Sequence, residues 1–133
     1  MRIRVSQLLV DAHKAVQRIT PDEARRLIVE SDALLVDVRD RTEVVKTGKI
    51  KGAVHISRRQ IPFRADPMTP YHHSAFRKDR PVIVYCGSSG RSALAGKALK
   101  DMGYSHVFNL GSFDKAIAAG LETEPARELR RRG

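Results

Sequence analysis

Pro81-Val82-Ile83-Val84-Tyr85-Cys86-Gly87-Ser88-Ser89-Gly90-Arg91 decides the reading of this chain. Val82, Ile83 and Val84 are consecutive β-favouring side chains behind a proline, which predicts a buried strand over residues 81–85. The strand runs directly into Gly87-Ser88-Ser89-Gly90, residues that permit a tight turn. Past the loop, Leu94, Ala95, Ala98, Leu99 and Met102 share one face of a helix that Gly103 terminates. Cys86 therefore stands between the carboxyl end of a strand and the first turn of a helix.

The alternation extends in both directions. Val5, Leu8, Leu9, Ala12 and Val16 recur at helical spacing and predict a leading helix over residues 1–15. A short strand over residues 16–19 precedes a strong helix start: Thr20 as cap, Pro21 at the first helical position and Glu23 completing a capping box. Ala24, Leu27 and Ile28 give that helix its buried face. Residues 33–38 read as a buried strand, Asp40 and Glu43 repeat the capping pattern for a short helix closed by Gly48, and residues 52–56 form another strand. Pro62, Pro67 and Pro70 break residues 57–80 into a helical turn and a long loop. Residues 106–110 give a last strand, and residues 112–119 a last helix that Gly120 stops. This order predicts an α/β fold, an open and mostly parallel sheet with helices on both faces. Ligands of such sheets bind beyond the carboxyl ends of the strands, where Cys86 falls.

At 133 residues the chain fits one domain, its body over residues 16–124 and a basic tail over 125–133. A formal net charge of +10 favours anionic partners: small oxyanions, nucleic acid, acidic protein surfaces or lipid headgroups. Arg127, Arg130, Arg131 and Arg132 crowd the tail against Glu128 alone. Without interleaved aromatics they read as a solvated helix end rather than a nucleic-acid arm. A single cysteine excludes an internal disulfide and an all-cysteine metal site, and a lone thiol suits a reducing, cytoplasmic setting. No apolar run approaches the roughly 20 residues that span a bilayer. Residues 5–10 are too short for a signal-peptide core, and Asp11 interrupts them.

The loop carries the chemistry. A helix start leaves unpaired N–H groups and a partial positive charge, and two glycines let the backbone curl its N–H groups toward one centre. A cysteine at the rim of such a nest ionises more readily than a free thiol of pKa about 8.5. Arg91 adds a full charge, either as support for the reacting anion or as a salt-bridged anchor of the loop. Ser88, Ser89 and Ser92 either donate hydroxyl hydrogen bonds or serve as small turn residues, the latter favoured for Ser88.

The stretch from Val82 to Met102 resembles the active-site strand, loop and helix of single-domain rhodaneses. The resemblance extends to Leu35-Val36-Asp37-Val38-Arg39 with Glu43, to Gly48-Lys49-Ile50-Lys51-Gly52-Ala53-Val54-His55-Ile56, and to Leu110-Gly111-Ser112-Phe113 with Ala119-Gly120-Leu121. It covers residues 16–124. It implies a rhodanese-like three-layer domain and a thiosulfate sulfurtransferase needing no cofactor and no metal. Cys86 would carry the transferred sulfur as a persulfide, with Gly87, Ser88, Ser89, Gly90 and Arg91 binding the substrate. The partners implied are a small anionic sulfur donor, a thiol or cyanide acceptor and a possible sulfur-relay protein, with no role for membrane or nucleic acid. Two positions depart from the family pattern: Gly111-Ser112 replaces paired glycines, and Ala116 stands where a tryptophan is usual.

Related cysteine phosphatases and arsenate reductases share this architecture but place one residue more between cysteine and arginine. Four residues separate Cys86 from Arg91, a ring better sized for one sulfur atom than for a tetrahedral phosphate. An idle sulfur-carrier or protein-binding module is the other alternative. Elsewhere, Asp37 and Arg39 read as a loop brace, and His55 as a hydrogen-bonded structural residue. Adjacent His72 and His73 lack the spacing of a helical metal pair. Arg58, Arg59 and Arg64 read as solvated charge able to rim the pocket.

Overall fold

The computed structural model describes residues 2–126. The described residues form six α-helices: α1 (Val5–Ala15), α2 (Pro21–Ser31), α3 (Arg41–Thr47), α4 (Ile61–Ala65), α5 (Gly90–Asp101) and α6 (Phe113–Ala118). The strands are β1 (Gln17–Arg18), β2 (Leu34–Asp37), β3 (Lys49–Ile50), β4 (Val54–His55), β5 (Val82–Cys86), β6 (Val107–Ser112) and β7 (Thr123–Glu124). Five strands make one sheet in the order β1-β6-β5-β2-β4, every neighbouring pair parallel. β3 and β7 form a separate antiparallel pair, which the sequence reading did not contain. The strand expected over residues 52–56 shrinks to Val54–His55, because Gly52 turns the chain at φ +88°.

Alternation along β5 builds the two cores. Val82, Val84 and Cys86 point to one face, with Ile61 and Ala65 of α4 and Ala95 and Leu99 of α5. Ile83 and Tyr85 point to the other, with Ala24 of α2 and Phe113 and Ala116 of α6. Every residue of β5 is buried, as expected for the central strand of a sheet covered on both faces. Cys86 thus faces α5, and the loop joins a fully buried strand to the buried face of that helix.

In three helices the buried residues differ from the apolar positions of the sequence pattern. Of the apolar stripe along α1 only Ala12, and Val16 just past its end, are buried, whereas Val5 and Leu8 face solvent. The helix leans on α5 at its C-terminal end, where a Cβ on Gly96 would meet both Val16 methyls at 3.0 Å. Ile28 of α2 is 38% exposed, because α2 meets the sheet through Ala24 and Leu27. In α5, Ser92, Ala93 and Gly96 are buried beside Ala95 and Leu99, since sheet, α1 and α4 each pack against it.

The two departures in the last helix are accommodated. Gly111 takes φ +90° at a register shift between β5 and β6, and a Cβ there would run into the Arg18 guanidinium. Ser112 has extended backbone and caps α6, its Oγ accepting from the Lys115 N–H at 3.3 Å, so a second glycine is not needed. Ala116 is buried against the second core.

Candidate active site

Cys86 ends β5 with its side chain buried. Burial alone would suit an inert core thiol; its polar contacts set it apart. The Ser92 N–H donates to Cys86 Sγ at 3.3 Å, and the thiol donates to Ser92 Oγ at 3.2 Å. Ser92 lies in the first turn of α5, where N–H groups have no intrahelical acceptor and the helix dipole is positive. The donor comes from Ser92, one residue past the loop: among the described residues no N–H of residues 87–91 is bonded to the sulfur. Those groups were expected to curl toward one centre and hold a persulfide on Cys86; the N–H found on the sulfur comes from the next residue.

Ser92 is itself held from behind. Its hydroxyl donates to Asn109 Oδ1 at 2.7 Å, with the Ser89 carbonyl a second acceptor at 3.1 Å. Asn109 is buried; its Oδ1 also accepts from the Gly111 N–H at 2.9 Å, and its Nδ2 reaches the Ser89 carbonyl at 3.4 Å. One side chain therefore ties the cysteine loop to the bulge in β6. Sequence reasoning missed Asn109, which sits inside an apolar strand pattern. The signal that could have found it is an amide between Phe108 and Leu110, with a glycine two residues on.

Arg91 turns away from the sulfur toward α3. Its Nη1 and Nη2 donate to Glu43 Oε1 and Oε2 at 2.6 and 2.9 Å, with Asp40 Oδ2 3.8 Å away. Hydrogen bonds from Arg91 hold the Glu43 carboxyl down at about 2. The Asp40 N–H completes the clasp by donating to Glu43 Oε1 at 3.0 Å. The guanidinium lies over Gly87, where a Cβ would come within 3.1 Å of Nη2. Of the two roles left open for Arg91, the anchor is the one its contacts serve. Gly87 permits the close approach.

The neighbouring polar residues are bonded into the fold. Arg39 is 3% exposed and donates through Nε and Nη2 to Asp37, through Nη1 to Thr47 Oγ1 and through Nη2 to the Gly48 carbonyl. Its guanidinium also stands 4.1 Å from the Phe113 ring centre. His55 Nε2 is 2.7 Å from the Arg39 carbonyl oxygen. His73 Nδ1 accepts from the Ala75 N–H, and His72 Nε2 pairs with the Phe76 carbonyl. Among the described residues no three His, Cys, Asp or Glu side chains gather as a metal site, and no helix is long and apolar enough to cross a membrane. Arg59 rims a hollow beside Asp40 and His55. The tail arginines from Arg127 onward lie outside the described residues.

Known proteins resemble the domain as a whole. A sulfurtransferase of Allochromatium vinosum is 37% identical over 87 residues, covering 65% of this chain and 73% of that protein. The thiosulfate sulfurtransferase GlpE of Actinobacillus succinogenes is 34% identical over 115 residues, 84% of this chain and 94% of its own. A solved structure from Rhodopseudomonas palustris, of unknown function and named a possible tyrosine phosphatase, superposes with a TM-score of 0.83. It is 31% identical and covers 93% of this chain and 96% of that one. Residues 20–119 match the family described as Rhodanese-like domain, and the chain belongs to that family.

Proposed function

We propose that the protein is a sulfurtransferase that moves sulfane sulfur from thiosulfate or a similar donor to a thiophilic acceptor through a Cys86 persulfide. The observation that carries this reading is the sulfur of Cys86 at the start of α5, with the Ser92 N–H on it and Arg91 committed elsewhere. The Cys86 thiolate attacks the outer sulfur of thiosulfate; a new S–S bond forms, the donor's S–S bond breaks, and its electron pair leaves with sulfite. The N–H groups of Gly87, Ser88, Ser89, Gly90 and Arg91 then hold the outer sulfur of the persulfide. An acceptor thiolate or cyanide takes that sulfur, and Cys86 departs as thiolate. A lone thiol used in this way suits a reducing compartment, and we place the protein in the cytoplasm.

The name of the Rhodopseudomonas protein favours a phosphatase as the second reading. Two features oppose it here. The ring from Cys86 to Arg91 is one residue short of the phosphatase spacing, and the arginine fork that would bind phosphate is occupied by Glu43. Intact-mass measurement after thiosulfate treatment tests the proposal. One sulfur atom should be gained, cyanide should remove it, and Cys86→Ser should abolish the gain. Cys86-dependent release of phosphate from p-nitrophenyl phosphate that outpaces thiosulfate turnover would replace it with the phosphatase reading.

A further inference from the structure

The chain that leaves the edge strand β4 exposes more apolar and cationic surface than the fold requires. Phe63 is 55% exposed, Tyr71 62% and Met68 90%. Phe63 and Tyr71 meet edge to face with ring centres 6.5 Å apart, and with Arg59, Gln60 and Arg64 they wall a cavity of about 490 Å³. Among the described residues, Arg58, Arg59 and Arg64 form no ion pair with an acidic side chain. The Arg64 Nε is buried without an acceptor. Arg59 and Gln60 also line the hollow that holds Asp40, and Asp40 lies 3.8 Å from Arg91. The patch therefore runs to the rim of the cysteine loop.

Its composition selects among anionic occupants. A small inorganic anion makes no use of three exposed apolar side chains. Single-stranded nucleic acid needs ring faces on which successive bases stack, and the Phe63 and Tyr71 planes stand at 87° to each other. Exposed Phe, Tyr, Met and Arg together are the composition of protein-interface cores, where aromatic and arginine side chains carry much of the binding energy. We propose that this patch docks an acidic protein surface surrounding an exposed cysteine, and that this cysteine accepts the Cys86 sulfur. The chemistry rests on the sulfurtransferase reading; the docking does not. The partner's thiolate attacks the outer sulfur, the S–S bond to Cys86 breaks, and the electron pair returns to Cys86 as thiolate, leaving the persulfide on the partner.

Two synthetic peptides of equal length test this, each with one central cysteine and one leucine, otherwise rich in glutamate in one and lysine in the other. Persulfidated protein should pass sulfur to the acidic peptide faster by about 10-fold or more at low salt, an advantage that rising ionic strength removes. Arg59→Glu combined with Phe63→Ser should abolish that preference while cyanide turnover, which reports an intact loop, stays within about twofold of wild type. Binding is read separately, by fluorescence anisotropy of a labelled serine-for-cysteine acidic peptide on Cys86→Ser protein. Equal transfer rates for the two peptides, or an acidic preference that survives the double substitution, overturns the proposal. Patch-dependent binding of a single-stranded oligonucleotide tighter than that of the acidic peptide overturns it in favour of nucleic acid. Patch-dependent peptide binding in a protein that gains no sulfur from thiosulfate supports the docking surface and removes only the transfer step.

Discussion

Two arginines stand behind neighbouring strand ends, each clasped by a carboxylate, and they do different work. Arg39, after β2, is 3% exposed and its partner Asp37 is 0% exposed; threonine, backbone and an aromatic face take up the rest of its fork. Arg91, after β5, keeps 35% of its side chain in contact with solvent and Glu43 keeps 37%. A buried pair with every guanidinium nitrogen hydrogen-bonded is part of the frame, and removing one partner strands a charge. A half-exposed pair can trade its partner for water at little cost. The same ion pair is thus a buried brace in one loop and a partly exposed clasp at the mouth of the next, and depth alone makes the difference.

Breaking each pair separately should expose this contrast. Asp37→Ala leaves Arg39 buried without its counter-charge and should lower unfolding free energy by about 3–5 kcal/mol in urea titration. Arg91→Ala, losing a half-exposed pair, should cost about 1 kcal/mol or less. Equal losses would erase the distinction between brace and clasp. A smaller effect is expected one step inward. Ser92→Ala keeps the N–H on the sulfur but removes the hydroxyl that joins Cys86 to Asn109. One neutral hydrogen bond is worth about 0.5–1.5 kcal/mol, so thiosulfate turnover should fall by about tenfold or less. A loss as complete as that of Cys86→Ser would make the hydroxyl part of the chemistry itself.

The cysteine loop was legible because its signals are local: a strand, two glycines and a helix start fall within a few residues of one another. The capping boxes at Thr20 and Asp40 were legible for the same reason. What lay hidden depends on contacts between distant segments. Asn109 is separated from Ser92 by 17 residues and meets it only because β6 lies beside β5 and strand alternation puts its side chain on the face that α5 covers. Glu43 read as a helix-capping residue, which it is, yet the bond that makes it part of the site comes from Arg91, 48 residues away. Periodicity showed that α1 and α2 are amphipathic but not how much of each stripe the domain would cover. Val5, Leu8 and Ile28 stay exposed because α1 packs closely through Val16 at Gly96 and α2 through Ala24 and Leu27, which leaves the rest of each stripe uncovered.

The finest test of the comparison is the acid limb of stability. An ordinary glutamate titrates near 4.5, whereas Arg91 holds Glu43 at about 2 in the folded protein. Between those values the unfolded chain binds a proton that the folded chain refuses, so acid favours unfolding there. The contribution of Glu43 is complete above 4.5 and is lost as pH falls through the window toward about 2. Both side chains are more than one-third exposed, so solvent screening keeps the amount to about 1 kcal/mol or less. Glu43→Gln retains the shape and one acceptor but has no proton to exchange. The difference in unfolding free energy between wild type and Glu43→Gln should be level above pH 4.5 and shrink as pH approaches about 2, more weakly at high salt. A difference that stays constant across the window would mean that Arg91 does not hold Glu43 as a carboxylate. The clasp at the mouth would then rest on packing over Gly87 rather than on charge.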